Sequence, residues 1–292
     1  MKQVRIDSLL EPPQDGAAYQ REWTTRGQCR EKGLLLELAL FAGMVGPGLY
    51  AVSALSDFSL GMLVGLAIVV LGYGLPHVVF LGRMERSWRS VMRPGSSWIS
   101  RGSIFAGAFM ALAALSVAHY IAPLNTGLLQ ADSAGHGVIV KAATVAAVLL
   151  AVYPGFMFSV VRAIPFWNSM LLIPLFGAQT VGGGLALALM LDCLPGVTFA
   201  ARPTALALEP VVLLATAALI AAYLHSRRRA GQTARQSSEM LIYGMYRRLF
   251  IGGVVLAGLA APLLLMALAL VVRASDVLVF PAAVGQLGGI LL

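Results

Sequence analysis

Polar residues in this chain are confined to short stretches between long apolar blocks, and within the blocks there is no strict alternation. The blocks are Leu34–Leu55, Ser59–Gly82, Ser103–Leu124, Gly137–Val161, Ser169–Leu191, Leu206–Leu224, Phe250–Val272 and Val277–Leu292. Most are about twenty residues long, enough to cross a ~30 Å hydrocarbon core at 1.5 Å per helical residue. In lipid only helices and closed barrels satisfy every backbone polar group, and a barrel would show shorter, alternating segments. The pattern therefore predicts an all-α integral membrane protein with eight transmembrane helices. The eighth block stops without a polar flank, so it either ends in the interface or is followed by a short tail.

Composition agrees. Of 292 residues, 59% are hydrophobic and 12% charged, about half the charged share of a soluble domain. The net charge of +8 does not point to nucleic acid, because the basic residues sit in loops between apolar blocks. Lys2, Arg5, Arg21, Arg26, Arg30, Lys32, Arg83, Arg86, Arg89, Arg93, Arg101, Arg162, Arg227, Arg228, Arg229, Arg235, Arg247 and Arg248 fall on one side. They are 18 of the 21 Lys and Arg, and only Lys141, Arg202 and Arg273 fall on the other. The positive-inside rule then puts the N-terminus in the cytoplasm.

Residues 1–33 form a polar tail with Pro12-Pro13 and a mixed-charge run, either a solvated flap or a docking arm. The tail has no apolar core, so no cleaved signal peptide is expected. Cys29 and Cys193 are too isolated for a metal site or a disulfide framework. No phosphate loop, HExxH or nucleophile elbow stands out.

The first and fifth blocks read LFAGMVGPGLYAVSAL and LFGAQTVGGGLALALM. Four spans separate them, as in a parallel repeat of four helices, with chance similarity between Gly/Leu-rich helices as the competing explanation. The organisation expected is a tail at 1–33, one four-helix bundle at 34–161 and a second at 162–292. Gly43, Gly46 and Gly48, and likewise Gly182, Gly183 and Gly184, admit a close neighbour. That neighbour is either another helix, the usual device in lipid, or a flat ligand ring at the first cluster.

Two stretches are richer in chemistry. The loop Phe80–Gly102 combines Arg86, Trp88, Arg89, Arg93, Trp98 and Arg101 with a Pro94-Gly95 turn, and Ser96 or Ser97 is placed to cap the next helix. It is either a positive-inside loop with headgroup-level tryptophans or a docking surface for an acidic partner. The elbow Tyr153–Asn168, YPGFMFSVVRAIPFWN, sets Tyr153 and Arg162 in apolar surroundings and ends in the turn containing Pro165, Trp167 and Asn168.

At these places the chain resembles the NrfD/polysulfide-reductase-type membrane subunits. The matching segments are Leu81-Gly82 with Ser97–Gly102, Tyr153–Phe156 with Arg162–Asn168, Pro174-Leu175-Phe176 with Gly182–Gly184, and Phe41–Gly48. The likeness covers most of residues 35–190 and is weak beyond. It implies eight helices in two four-helix bundles, without haem. It also implies a membrane anchor for an iron–sulfur subunit, itself bound to a molybdopterin catalytic subunit. Such an anchor exchanges electrons with quinone, menaquinone or ubiquinone, near the iron–sulfur partner. Related anchors serve respiratory reductases of polysulfide, thiosulfate, tetrathionate, nitrite and dimethyl sulfoxide.

Quinone turnover moves two protons with two electrons, so a pocket needs a donor at a carbonyl and a proton relay. Tyr153 lies nine residues before Arg162, roughly 13 Å inside the membrane. Its phenol donates without the burial cost of an ion, and it matches the family's tyrosine position; a core tyrosine bonded to backbone is the alternative. Glu37 either carries protons or pairs with Arg30 or Arg162. His77 either accepts a quinol proton or is simply satisfied at the interface. The expected quinone site is Tyr153, Glu37, His77, Gly43, Gly46, Arg162, Trp167 and Asn168, and the docking site is the basic loop. His77 and His225 would ligate haem only if they faced each other at matched depth, and the resemblance argues against it. On the other face, Asp57, His119, His136, Lys141, Asp192 and Glu209 read as loop or snorkelling residues. The rival class is a secondary transporter of parallel repeats with a midplane substrate site. The concentration of polar residues near one face, and the near absence of mid-span charge, speak against it.

Overall fold

The computed structural model describes residues 27–81, 84–120, 124–272 and 276–292, with 27–32, 80–81 and 84–87 described by backbone alone. All regular structure among the described residues is helical. The helices are α1 (Gly27–Leu55), α2 (Ser59–Ala67), α3 (Leu75–Leu81), α4 (Trp98–Val117) and α5 (Ala134–Ser159), then α6 (Leu172–Asp192), α7 (Arg202–Arg229), α8 (Gln232–Ile242), α9 (Ala261–Val272) and α10 (Asp276–Leu291). The π-helical segment Ile68–Gly74 joins α2 to α3, and a second, Arg248–Ala260, leads into α9. Among the described residues, seven spans are long and apolar enough to cross a membrane, and α10, at 16 residues, is a shorter apolar helix. The mean hydropathy of +0.82 is therefore carried by helices, not by a soluble core.

Both π segments have the same local cause. Each ends two residues before a proline, Pro76 or Pro262. A proline ring inside a helix collides with the carbonyl four residues back and leaves it without a donor. Those residues are Gly72 and Gly258, and the widened turn absorbs the misfit where no Cβ resists it.

Several boundaries differ from the apolar pattern. Helix α1 starts at Gly27, ahead of the apolar block, because its first turns run through polar residues. Ser97 caps α4, its side chain accepting from the Ser100 N–H at 3.3 Å. Helix α7 starts at Arg202, with proline in its first turn, rather than at Leu206. The basic stretch after α7 folds into α8, tied by an Arg235–Glu239 ion pair at 2.8 Å.

Helix α1 is the hub. It packs against α2 and its π segment, α5 and α6, while α4 packs on α5 and α7 on α6; α10 closes against α6, α9 and the second π segment. One buried cluster joins Tyr50, Val69, Tyr73, Phe109, Leu150 and Tyr153 from the first four spans. A second joins Val45 and Leu49 of α1 to Leu189, Met266 and Val279 of the later spans. Glycines set the approach. A Cβ on Gly65 would lie 2.8 Å from the Gly46 carbonyl oxygen, and one on Gly184 would strike the Gly48 backbone. Here the first and fifth blocks, alike in sequence, meet.

The contact at Gly184 is backbone to backbone, so no side chain can swing aside. Gly184→Leu should force α1 and α6 apart and cost about 1–3 kcal/mol or more. Thermal unfolding in detergent checks this, with Gly107→Leu, at a site facing open space, as the control that should leave the midpoint nearly unchanged.

Candidate functional site

Two phenols meet between α5 and the first π segment. Tyr153 and Tyr73 each keep only 5% of their surface exposed, and the Tyr73 hydroxyl donates to the Tyr153 hydroxyl oxygen at 3.2 Å. Tyr153 thus accepts with its oxygen and has its own O–H left to give. Two glycines make the room: the Tyr73 ring lies on Gly43 of α1, and the Tyr153 ring lies on Gly102 of α4. A methyl group at Gly43 would sit 2.6 Å from the Tyr73 ring edge.

His77 completes the group. Its ring packs 4.2 Å from that of Tyr73, and its Nδ1 lies 2.8 Å from the Tyr73 carbonyl oxygen. A carbonyl only accepts, so Nδ1 carries the proton and Nε2 presents a lone pair. The cluster therefore holds a donor (Tyr153), a hydroxyl behind it that can refill it (Tyr73) and a neutral base beside them (His77). Above it, Trp98 stacks on Phe156 at 4.8 Å and 11°, with the Arg101 guanidinium 4.4 Å over Trp98. Arg101 in turn donates to the carbonyls of Pro94 and Gly95 at 2.7 and 2.9 Å, which fixes the Pro94-Gly95 turn over α4.

Of the expected site residues, Tyr153, His77 and Gly43 converge. The others lie elsewhere. Gly46 faces Val69, Ile68 and Gly65, as a helix-packing glycine. Glu37 is exposed on α1, and Arg162 is exposed after α5. Asn168 donates from Nδ2 to the Ser159 carbonyl at 2.8 Å, capping the end of α5. Trp167 packs edge-on against Phe158 at 4.8 Å. The elbow is held from α7: the Tyr223 hydroxyl donates to the Phe166 carbonyl at 2.6 Å, and Arg227 donates to the carbonyls of Pro165 and Asn168. In the basic loop, Trp88 is exposed with Arg89 5.5 Å from its ring centre, and Arg93 is exposed. The side chain of Arg86 lies outside the described residues.

A family model described as polysulphide reductase, NrfD, matches residues 50–292. The chain belongs to the NrfD family. It is a multi-pass membrane protein, and membership places it among membrane subunits of polysulphide-reductase-like complexes, which work with other oxidoreductase subunits. No curated protein matches the chain. The match reaches the last residue, so likeness to NrfD extends well past residue 190, and it starts after the Phe41–Gly48 segment.

Tyr73 is the residue the apolar pattern hides. An aromatic in an apolar span reads as core, yet it stands four residues before His77 and so on the same face. On the opposite membrane face, His119 Nδ1 and His136 Nε2 both reach the Ser116 carbonyl, at 2.9 and 2.8 Å. Ser116 also bonds the buried Tyr50 hydroxyl at 2.7 Å. There Asp192 and Asp276 share Arg202 rather than standing as isolated loop charges. Glu209 does not snorkel: it is completely buried.

Tyr223→Phe should loosen the elbow by about 1–2 kcal/mol, since it leaves a carbonyl without its donor. The expected readouts are a lower unfolding midpoint and a shifted Trp167 emission, tracked in a variant carrying Trp23, Trp88 and Trp98 as Phe. An unchanged spectrum and midpoint would show that Arg227 and Asn168 hold the turn without Tyr223.

Proposed function

We propose that this NrfD-family chain is the quinone-reactive membrane anchor of a molybdopterin/iron–sulfur oxidoreductase. It would pass electrons between a docked iron–sulfur subunit and menaquinone or ubiquinone, the substrate chemistry itself belonging to the molybdopterin subunit. The reading takes its eight helices as two groups of four, with a division near residue 161. The observation that carries it is the buried phenol pair, in which Tyr153 keeps a proton to donate. That donor suits a quinone carbonyl, because it is neutral and costs little to hold in lipid.

The residues divide the work. Tyr153 binds and orients a carbonyl, and Tyr73 holds Tyr153 in that orientation and can replace its proton. His77, with Nε2 open, takes or returns a proton on the Arg-rich side. The bound quinone supplies two-electron, two-proton redox chemistry. Trp98, Phe156 and Arg101 roof the cluster and keep water from it. Trp88, Arg89 and Arg93, exposed on the same side, suit an acidic partner surface. With 18 of 21 basic residues on that side, the proposal puts the N-terminus and the partner subunits in the cytoplasm.

Tyr153→Phe keeps the ring on Gly102 and removes only the hydroxyl, the donor to a quinone carbonyl and the acceptor for Tyr73. In the assembled complex it should lower quinone-linked turnover by on the order of 10²-fold, the range for a lost general acid. Electron transfer from the soluble substrate to an artificial dye should persist. Equal turnover with quinone would exclude this phenol as the donor. Purified complex should contain iron and molybdenum, whereas solute uptake by the lone chain in liposomes would favour a transporter.

Arg89→Glu with Arg93→Glu should weaken capture of the iron–sulfur subunit, more at low salt than at high salt. Capture with the same salt dependence as the unmodified chain would move the docking surface elsewhere.

A further inference from the structure

The later spans bury a carboxyl group that the quinone reading does not use. Glu209 of α7 has no exposed surface, and neither of its carboxyl oxygens has a hydrogen-bond partner among the described residues. It lies seven residues into α7, roughly 10 Å from the Arg202 end and towards the middle of the membrane. Beside it is Gln286 of α10, 4% exposed. Both reach into the notch left by Gly182 of α6: a Cβ there would lie 2.7 Å from Gln286 Nε2 and 4.0 Å from Glu209 Oε1. The notch mirrors the first half of the chain. There Gly43 of the first span seats a polar side chain from the second span, bonded to one from the fourth; here Gly182 of the fifth span seats groups from the sixth and eighth.

The surroundings are apolar on one side and carry polar groups on the other. Towards the Asp192 face, Arg202 ties Asp192 to Asp276, joining the ends of α6, α7 and α10. The Phe199 N–H adds a bond to Asp192 at 2.6 Å, and Phe199, Ala205 and Leu208 line an apolar cavity of about 450 Å³ between these pairs and the lipid. Towards the Arg-rich face, a cavity of about 20 Å³ is lined by Gln286, Gln179 and Thr216, with Ile220 and Val254 at its far end. That is room for one water, with three polar partners, which is what a buried water needs. Thr216 is two turns from Glu209 on the same helix face. Among the described residues, no ionisable group faces Glu209 at its depth. Helices α6 and α10 carry theirs only at Asp192 and Asp276, the second π segment carries Arg248 at its start, and α9 carries none.

We infer that Glu209 is a reversible proton-binding site in the second half of the chain, reached from the Arg-rich face through the Gln286–Thr216–Gln179 cavity. An ionised carboxylate with no counter-charge, and with only the neutral Gln286 amide beside it, is too costly to hold there, whereas a neutral acid is tolerated. The proton comes and goes by this polar route, because the cavity on the other side is apolar and offers no hydrogen-bonded relay. The site thus gives the chain a proton-holding group separate from the phenol pair.

Infrared spectroscopy of the purified full-length chain in lipid tests this. The unmodified chain should show a protonated-carboxyl band that disappears in Glu209→Gln and shifts on transfer to D2O. Carbon-13 labelling of glutamate in the unmodified chain assigns the same band without any substitution. Thr216→Val should keep the band and slow its D2O shift by on the order of tenfold, as for a lost hydrogen-bonded relay step. Three results would overturn the proposal. They are no Glu209 band, a band that never responds to D2O, and an exchange rate unaffected by Thr216→Val.

Discussion

Close approach of helix backbones at glycine is the constraint on which this structure rests. Lipid offers no hydrophobic gain for bringing two apolar helices together, so association depends on dispersion contact and shape. Helix α1 meets that condition on two sides at once. Gly46 and Gly65 let it lie against α2, and Gly48 and Gly184 let it lie against α6. A single helix can therefore touch both the early and the late spans, and its buried face runs through Ala42, Val45, Leu49 and Tyr50 into both apolar clusters.

The same glycines decide where polar groups can stand. Where no Cβ projects, a ring or an amide occupies the space, and it is held at a depth where water cannot compete. Tyr73 on Gly43, Tyr153 on Gly102 and Gln286 on Gly182 are three uses of one device. Proline contributes the register. By widening the turn before it, Pro76 sets the position of Tyr73 relative to Tyr153 on the neighbouring helix. A hydrogen bond between hydroxyls 80 residues apart in the chain thus depends on a local misfit within one span.

The elbow after α5 has a structural basis of its own. Asn168 closes the helix it follows, while Tyr223 and Arg227 reach across from α7 to bond its exposed carbonyls. Each of these contacts satisfies backbone groups that a turn near lipid would otherwise leave bare. The turn joins α5 to α6, so its rigidity bears directly on how those two helices pack.

By itself the sequence determined the membrane class, the helical nature and nearly every span, because the bilayer imposes a length and a polarity that can be read residue by residue. It also picked out Tyr153, Gly43 and His77, which the fold brings together. Tertiary structure alone decided which of the polar residues face one another. Tyr73 and Tyr153 stand in separate spans, as do Glu209 and Gln286, and nothing in their spacing couples them. The start of α7 shows the reason in small: moving it from Leu206 to Arg202 takes Glu209 from the membrane edge to two turns inside. Depth and facing come from how helices cross, and the crossings are set by glycine contacts between distant segments. A one-dimensional pattern reports what a residue can tolerate, and only packing reports what it meets.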